Sequence, residues 1–467
     1  MKSTTFALRA AAALTLAGVC ALSLLQAQQP PAASAPPAGQ PPAPPAGGAA
    51  PAPTPPDQVT LEIRRGQQQK IKLAIPSFRV TVPPDAAAPA RENEEVVRAD
   101  LQTSGYFEIQ GPEAFAGLRL TGNPPDDIPI FRSVGDEILI LAEVKTEGER
   151  LVLEGRVFDL GSGEAILAKR YRGPYSTTRR MAHTFADDVI RYLTSKPGIG
   201  LSTIAFTSDR SGHKEIWAMD YDGANPRRVT GHQSTSMSPC WSPDGGALAY
   251  MSFFRGSPGI YIAEIGSGKK RTVVDSGSLN SSPSFSPDGS RIAFARSVDG
   301  NVEIFTSDAG GGGLRRLTVS GAIDTNPAWS PKGGTIAFTS SRAGNPHVYL
   351  MDSEGANPRR LSFEGEYNDG AAWSPDGDLV AYTSRRAGRF QIAVTNVVTL
   401  ETRVLTSGSS ENESPSFSPD GRKIVFSSSR TGKKQLFLMD LDGGNLRQLT
   451  NEGNNDLPDW SRNPPAP

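Results

Sequence analysis

Histidine and cysteine, the side chains that most often serve as nucleophiles, acid/base groups and metal ligands, are scarce in this chain. Its 467 residues include only six of them: His183, His213, His232, His347, Cys20 and Cys240. His183 falls on a predicted helix and has no second ligand at a spacing typical of a metal site. Cys240 adjoins Trp241 in an apolar segment without basic neighbours, which indicates a core residue rather than a reactive thiol. The sequence therefore predicts no catalytic residue and no metal site built on these side chains.

Serine hydrolases and nucleic-acid-binding proteins are also disfavoured. An α/β-hydrolase places its nucleophile in a G-x-S-x-G elbow, and the chain contains no such pentapeptide. Lysine and arginine total 48 against 49 acidic residues, so no net field attracts nucleic acid or an anionic membrane surface. Glycine (48) and proline (39) are abundant, which predicts many turns.

The turns belong to an array of repeats. A short apolar segment, Ile204-Ala205-Phe206, returns every 44 residues, at the following positions: Leu248, Ile292, Ile336, Val380 and Ile424. An aromatic residue followed by Ser-Pro-Asp-Gly, or by a variant of it, marks a second position of the repeat: Trp241, Phe285, Trp329, Trp373, Phe417 and Trp460. Regular spacing of this kind is typical of a repeat architecture, and six units can be counted.

Each unit is predicted to form four short strands, A to D. Ser-Pro-Asp-Gly suits a type I turn between strands A and B, and Asp222-Gly223 suits a tight hairpin between strands C and D. Four-stranded repeats of this length form the blades of a propeller. The array begins at strand B of one unit and ends with a lone strand A at residues 457–461, so the last strand is predicted to complete the first blade. The predicted fold class is an all-β six-bladed β-propeller preceded by a small α/β domain.

The residues ahead of the propeller divide into three segments. Residues 1–27 combine Lys2 and Arg9 with the apolar stretch Ala10–Leu25 and end at Ala27, which is typical of a cleavable signal peptide and predicts export. Residues 28–57 contain 12 prolines and no aromatic or branched aliphatic side chain, so they predict a disordered linker. Residues 58–197 alternate strand-like segments with two amphipathic helices, as in a small α/β domain. The propeller is expected over residues 198–462, followed by a tail at 463–467.

This organisation resembles the TolB family of Gram-negative envelopes. Besides the repeats, the resemblance rests on V-R-A-D-L-Q-T-S-G from Val97 and on Ala182-His183-Thr184 leading to Asp187-Asp188-Val189. It implies a non-enzymatic periplasmic adaptor of the Tol–Pal system that supports outer-membrane integrity and constriction during cell division. It also implies that the propeller mouth binds the peptidoglycan-associated lipoprotein Pal, and that the N-terminal region binds the inner-membrane protein TolA.

The N-terminal strand is the segment for which the resemblance implies TolA binding. Its apolar residues alternate along the chain, which suits a strand that adds to another sheet edge or lies inside the α/β domain: Val59, Leu61 and Ile63. In the family the first strand begins close to the cleavage site, whereas here the proline-rich linker intervenes. Both interpretations of this strand stay open at the level of sequence.

Loop charge predicts where a partner binds. In a propeller the D–A segments and the B–C turns lie on one face, with the D–A segments nearer the central channel. The D–A segments carry nine acidic residues and no Lys or Arg, whereas the B–C turns are rich in Arg and Lys. This pattern predicts an acidic mouth inside a basic rim, which would receive a basic or amide-rich protrusion of Pal. The residues expected to bind the partner are Asn280, Ser282, Asp324, Thr325, Asn326, Asp369, Asn412 and Glu413.

Alternatives to this interpretation remain. A Ca²⁺ ion held by the mouth carboxylates is the lesser one, since hard cations take oxygen ligands, and no other cofactor is expected. A generic periplasmic propeller scaffold is another, as is a propeller that binds a cation or a carbohydrate. We expect a monomer that associates with the envelope through Pal and has no nucleic-acid partner.

Overall fold

A computed structural model describes residues 70–121 and 123–462 of the chain. The predicted signal peptide, the linker, the tail and the strand with Val59, Leu61 and Ile63 lie outside these ranges. Within the two ranges, every helix is too short or too polar to cross a membrane.

The described part of the α/β domain contains six strands, three helices and three short 3-10 turns. The strands are β1 (Ile71–Ala74), β2 (Arg79–Thr81), β3 (Phe107–Gln110), β4 (Ile138–Glu147), β5 (Arg150–Asp159) and β6 (Ala165–Gly173). The helices are α1 (Ala87–Ser104), α2 (Pro124–Ser133) and α3 (Thr178–Thr194), and the 3-10 turns are Pro84–Ala86, Pro112–Phe115 and Tyr175–Thr177. The strands form one mixed sheet in the order β3-β1-β4-β5-β6, with β2 also paired to β4.

Alternating side chains of this sheet enter two separate cores. Leu73 packs with residues of α1 and α3 on one face, whereas its neighbour Ala74 packs with Phe131 of α2 on the other. The period of two in a strand explains the division, because successive side chains point to opposite faces. Helix α1 begins at Ala87, directly after a 3-10 turn that starts with a proline. It ends at Ser104, and the following Gly105 has the left-handed conformation common after helix ends.

The propeller has six four-stranded sheets, which confirms the predicted fold class. Strands A, in the order of blades 1 to 6, are Asn455–Trp460, Ser236–Trp241, Asn280–Phe285, Asp324–Trp329, Tyr367–Trp373 and Asn412–Phe417. Strands B are Thr203–Ser208, Ala247–Ser252, Arg291–Val298, Thr335–Ala343, Leu379–Arg386 and Lys423–Ser428. Strands C are Glu215–Asp220, Gly259–Glu264, Asn301–Asp308, Asn345–Asp352, Arg389–Asn396 and Gln435–Asp440. Strands D are Arg227–Arg228, Lys270–Val274, Arg315–Arg316, Arg359–Arg360, Thr402–Val404 and Arg447–Gln448.

Blade 1 closes the ring as the sequence predicts. Its strand A comes from the end of the described chain and pairs antiparallel with strand B, Trp460 opposite Ile204. The aromatic residues that end strands A are packed between blades, and Trp460 is only 6% exposed. Neighbouring blades are also joined by hydrogen bonds at this level. The backbone N–H of Trp329 donates to Ser284 Oγ of the preceding blade at 2.9 Å.

Candidate functional site

The six strands A line a central channel of about 850 Å³. Each strand has a β-bulge, and the bulge contains one residue with a φ angle between 47° and 67°. These residues all line the channel, and only one of them is a glycine: Ser238, Ser282, Asn326, Gly370, Ser414 and Leu457. Left-handed backbone is unfavourable for residues other than glycine and clusters at functional sites. The bulges therefore mark the mouth end of the channel as the candidate site.

One half of the mouth is a chain of hydrogen bonds across blades 3 to 5. Ser282 Oγ donates to Asn326 Oδ1 at 2.6 Å, and Asn326 Nδ2 donates to Asp369 Oδ1 at 2.6 Å. Asp369 also accepts bonds from Thr339 at 2.7 Å and from Tyr367 at 3.2 Å. The Asp369 carboxylate is thus held by neutral donors at the channel wall, with no Lys or Arg within 4 Å among the described residues. Its negative charge remains available to a partner.

The other half of the mouth, in blades 6 and 1, contains two carboxylates and one ammonium group. Lys434 Nζ lies 2.7 Å from Glu413 Oε2 and 2.8 Å from Asp456 Oδ2. Burial opposes ionisation of Asp456, but Lys434 and the hydrogen bond from Ser427 outweigh it and lower the pKa of this carboxyl. Together with Asp369, three carboxylates and one lysine of the described residues therefore lie at the bulges of the mouth, all in blades 5, 6 and 1.

Three residues predicted to contact the partner lie instead inside the blades. All three are fully buried at the start of strand A, where each accepts a hydrogen bond from an arginine of strand B or of the B–C turn. The pairs are Asn280 with Arg296, Asp324 with Arg342, and Asn412 with Arg430. These side chains fix the loops of the mouth face and are not accessible to a partner, so we revise the prediction for them. Ser282, Thr325, Asn326, Asp369 and Glu413 remain at least partly exposed.

The predicted separation of an acidic mouth from a basic rim is also revised. Acidic D–A segments and basic B–C turns do lie on one face, but their charges pair with each other at 2.7–2.9 Å. The pairs are Arg255 with Asp275, Arg386 with Glu364, and Arg389 with Glu411. Exposed ion pairs of this kind contribute little to stability, and they neutralise much of the rim.

Apolar side chains are exposed on the same face, next to the blades that carry the carboxylates. Val319 and Ile323 lie between blades 3 and 4 and are 79% and 48% exposed, and Phe363, between blades 4 and 5, is 58% exposed. Large apolar groups grouped at the rim of a cleft are typical of protein interaction sites. The sequence does not predict the exposure of these three residues, because a D–A segment has no periodic pattern that separates exposed from buried positions.

We expect Asp459→Asn to stabilise the propeller most at neutral and alkaline pH. Asp459 lines the channel, and its carboxylate accepts the backbone N–H of Trp241 at 2.7 Å. Burial raises the pKa of this carboxyl to about 7, whereas the unfolded value is near 4. Folding therefore favours the protonated acid, and the parent loses stability as pH rises from about 4 to 7.

The asparagine side chain cannot ionise and escapes this loss. Urea unfolding between pH 4.5 and 8 should give a gain that grows with pH to about 1–3 kcal/mol. Asp352→Asn, at the exposed end of strand C of blade 4, is the control. It should leave the pH dependence of the free energy of unfolding as it is in the parent. If the free energy of unfolding depends on pH in the same way for Asp459→Asn and the parent, the raised pKa of Asp459 is contradicted.

A second polar cluster joins the α/β domain to blade 1. His183 Nδ1 of α3 lies 2.6 Å from Asp100 Oδ2 of α1, and the Tyr221 hydroxyl donates to Asp100 Oδ1 at 2.5 Å. The Tyr221 ring stacks on Trp460, with centroids 6.4 Å apart, and the indole N–H donates to Ser202 at 2.8 Å. The cluster therefore connects two helices of the first domain with the strand that closes the ring.

Comparison with known families gives the identity of both domains. The family model described as "TolB beta propeller domain" matches residues 190–463, more than half of the chain. The chain belongs to the TolB family. A second model, "TolB amino-terminal domain", matches residues 59–166, so TolB similarity also covers most of the α/β domain.

Individual TolB proteins resemble the chain over shorter or longer stretches. "Protein TolB homolog" of Chlorobium chlorochromatii is 36% identical over 210 residues, which are 45% of this chain and 48% of that protein. "Tol-Pal system protein TolB" of Geobacter sulfurreducens is 39% identical over 41% of this chain and 44% of its own length. The matched part thus spans about half the length of these curated relatives. The crystal structure of TolB from Acinetobacter baumannii has a TM-score of 0.72 and 26% identity, and the match covers 84% of this chain and 97% of that one.

Proposed function

We propose that this TolB-family chain is a non-enzymatic periplasmic adaptor of the Tol–Pal envelope system. In this proposal the propeller mouth binds Pal, the N-terminal region binds TolA, and the complex supports outer-membrane integrity and constriction during division. Membership of the TolB family supports a role in the Tol–Pal system, because relatives are named Tol-Pal system proteins. The observation that carries the mouth assignment is its two-sided surface, with three carboxylates beside a group of exposed apolar side chains.

This surface fits a protein partner with a basic or amide-rich protrusion beside an apolar patch. The carboxylates in blades 5, 6 and 1 attract the protrusion, and the apolar residues between blades 3 and 5 provide contact area. The α/β domain contacts the opposite face, where the Arg422 guanidinium lies 4.2 Å from the centre of the Tyr106 ring. Within the described part of the chain, the α/β domain therefore leaves the mouth face open to a partner. We do not extend the proposal to Ca²⁺, because Lys434 already bridges Glu413 and Asp456.

TolA binding is assigned to the strand with Val59, Leu61 and Ile63. A strand that adds to the edge of another sheet gains main-chain hydrogen bonds, and its alternating apolar residues fill pockets on one face. Proline at position 61 would remove a backbone donor from such a pairing. The two partners thus use separate regions, and each can be lost without the other.

The test is a reciprocal binding experiment with purified Pal and TolA. Val319→Ser combined with Phe363→Ser should weaken Pal binding about 10- to 100-fold, because a few exposed apolar anchors dominate such interfaces. TolA binding should be unchanged in this variant, and Leu61→Pro should give the opposite result.

Val398→Ser is the matched control for the mouth variant. Val398 is 84% exposed but lies in the C–D turn of blade 5, on the face opposite the mouth. Pal affinity that is equal in the double variant, the control and the parent would exclude the mouth as the binding surface. A folded variant that binds neither Pal nor TolA would contradict the assignment of the two partners to separate regions.

A further inference from the structure

Three potential metal ligands meet where the α/β domain contacts blade 1. One ligand atom from each of His183, Asp220 and Asp222 lies within 4.8 Å of the others. His183 belongs to α3, Asp220 ends strand C of blade 1, and Asp222 is in the following turn. Sequence spacing gives no signal for this group, because the fold brings Asp220 and Asp222 to His183 from the other domain.

The histidine has a free nitrogen at this place. The His183 side chain is 3% exposed, and its Nδ1 faces Asp100 Oδ2 at 2.6 Å. An ionised carboxylate can only accept, so Nδ1 carries a proton, and the neutral form of the ring presents a lone pair at Nε2. Burial opposes protonation of the ring, but Asp100 and Asp222 outweigh it and raise the pKa of His183, so a metal ion competes with a proton for Nε2. Nε2 is buried and has no hydrogen-bond partner among the described residues. A carboxylate that accepts from the second ring nitrogen is the usual support of a metal-ligating histidine.

A protein cation currently occupies part of the cluster. The Arg179 guanidinium pairs with Asp222, bonds Glu92 at 3.0 Å and has its Nε 3.8 Å from Asp220 Oδ2. Three carboxylates thus lie around this single guanidinium. Its own Nε is buried without a hydrogen-bond partner, so the arginine satisfies the cluster incompletely. The excess of negative charge favours a cation with a higher charge.

We infer that His183, Asp220 and Asp222 form a binding site for a divalent transition metal, with Zn²⁺ the best match, at the junction of the two domains. One imidazole nitrogen and two carboxylate oxygens are a common zinc ligand set, with bonds of about 2.0–2.2 Å. Three atoms bound to one zinc ion at this distance are closer together than the 4.8 Å that spans the ligand atoms here, so the three side chains must approach one another on binding. Binding therefore requires Arg179 to move away from Asp222, and Glu92 remains as its partner.

Metal binding would link the two domains directly. One ligand from α3 and two from blade 1 would bind the same ion. Removal of the ion would break this link between the two domains. Added Zn²⁺ should raise the thermal midpoint of the full chain, since a ligand that binds only the folded state stabilises it. This inference does not depend on Pal or TolA binding.

The experiment is a Zn²⁺ titration of the purified chain by calorimetry at pH 7.5. His183→Asn keeps an N–H for Asp100 but removes Nε2, and Asp222→Asn removes a carboxylate that is partly exposed. Each should weaken Zn²⁺ binding at least about tenfold and abolish the thermal shift. Arg179→Gln removes the competing cation and should tighten binding about tenfold.

Blade 6 supplies a matched control. Asp440 and Asp442 repeat the positions of Asp220 and Asp222, but Lys423 pairs with Asp440, and no histidine of the described residues joins this group. Asp442→Asn should leave Zn²⁺ affinity unchanged. No binding to the unaltered chain would overturn the inference and leave Arg179 as the resident cation. Binding that survives both His183→Asn and Asp222→Asn would also overturn it, by placing the ion elsewhere.

Discussion

Truncation after Asn454 should abolish the soluble monomer. The deleted segment contains strand A of blade 1, whose removal leaves strand B with an unpaired edge. It also removes Trp460, which is buried between blades, stacks on Tyr221 and donates to Ser202. Loss of a buried tryptophan side chain alone costs about 3–5 kcal/mol, a large part of the stability of a typical domain. Open strand edges then promote association between chains.

Size-exclusion chromatography and light scattering of the purified protein measure this effect. Truncation after Arg462 is the control, since it retains the whole closing strand and should give the parent profile. A monomeric and cooperatively unfolding chain that ends at Asn454 would show that the ring does not depend on blade 1 for closure.

Replacement of Asp100 by alanine should have the second largest effect. Asp100 is 4% exposed and accepts hydrogen bonds from both His183 and Tyr221. Removal of one member of a buried polar cluster leaves the others without partners, which costs about 3–5 kcal/mol. Because the cluster lies between the domains, we also expect the α/β domain and the propeller to unfold in separate transitions.

Differential scanning calorimetry distinguishes these outcomes. Tyr221→Phe keeps the ring that stacks on Trp460 and removes only the hydroxyl, so it should cost about 1.5–3 kcal/mol and keep a single transition. Equal destabilisation by Asp100→Ala and Tyr221→Phe would mean that the bond to His183 contributes nothing to the junction.

The sequence was sufficient to predict the ring but not the surface of its mouth. The 44-residue interval and the lone final strand determine six blades and their closure, because each blade buries the same positions. Asn280 and Asn326, in contrast, are the same residue type, two positions apart in the repeat. The first is buried against Arg296, and the second lies at a bulge that lines the channel. The extra residue of the β-bulge changes which side chains of strand A face the channel. Residue propensities in the sequence do not indicate where this bulge occurs.

The junction cluster could not be predicted for a different reason. His183 and Asp100 are 83 positions apart, and Tyr221 is 121 positions from Asp100. Each lies on its own element without a motif that links them. Only the packing of α1, α3 and blade 1 brings them together, and the sequence contains no signal for the docking of one domain on the other.

The closing strand also determines when the propeller can fold. Trp460 and Ser202, which are hydrogen-bonded, are 258 positions apart, so blade 1 cannot form until the chain has been made as far as Trp460. Contacts between distant parts of a chain slow folding, because a long loop must close before they form. Blades 2 to 6 are each continuous in sequence and can assemble earlier as an open array. The exposed edges of that array persist until the last strand arrives, so aggregation competes with folding mainly in this interval.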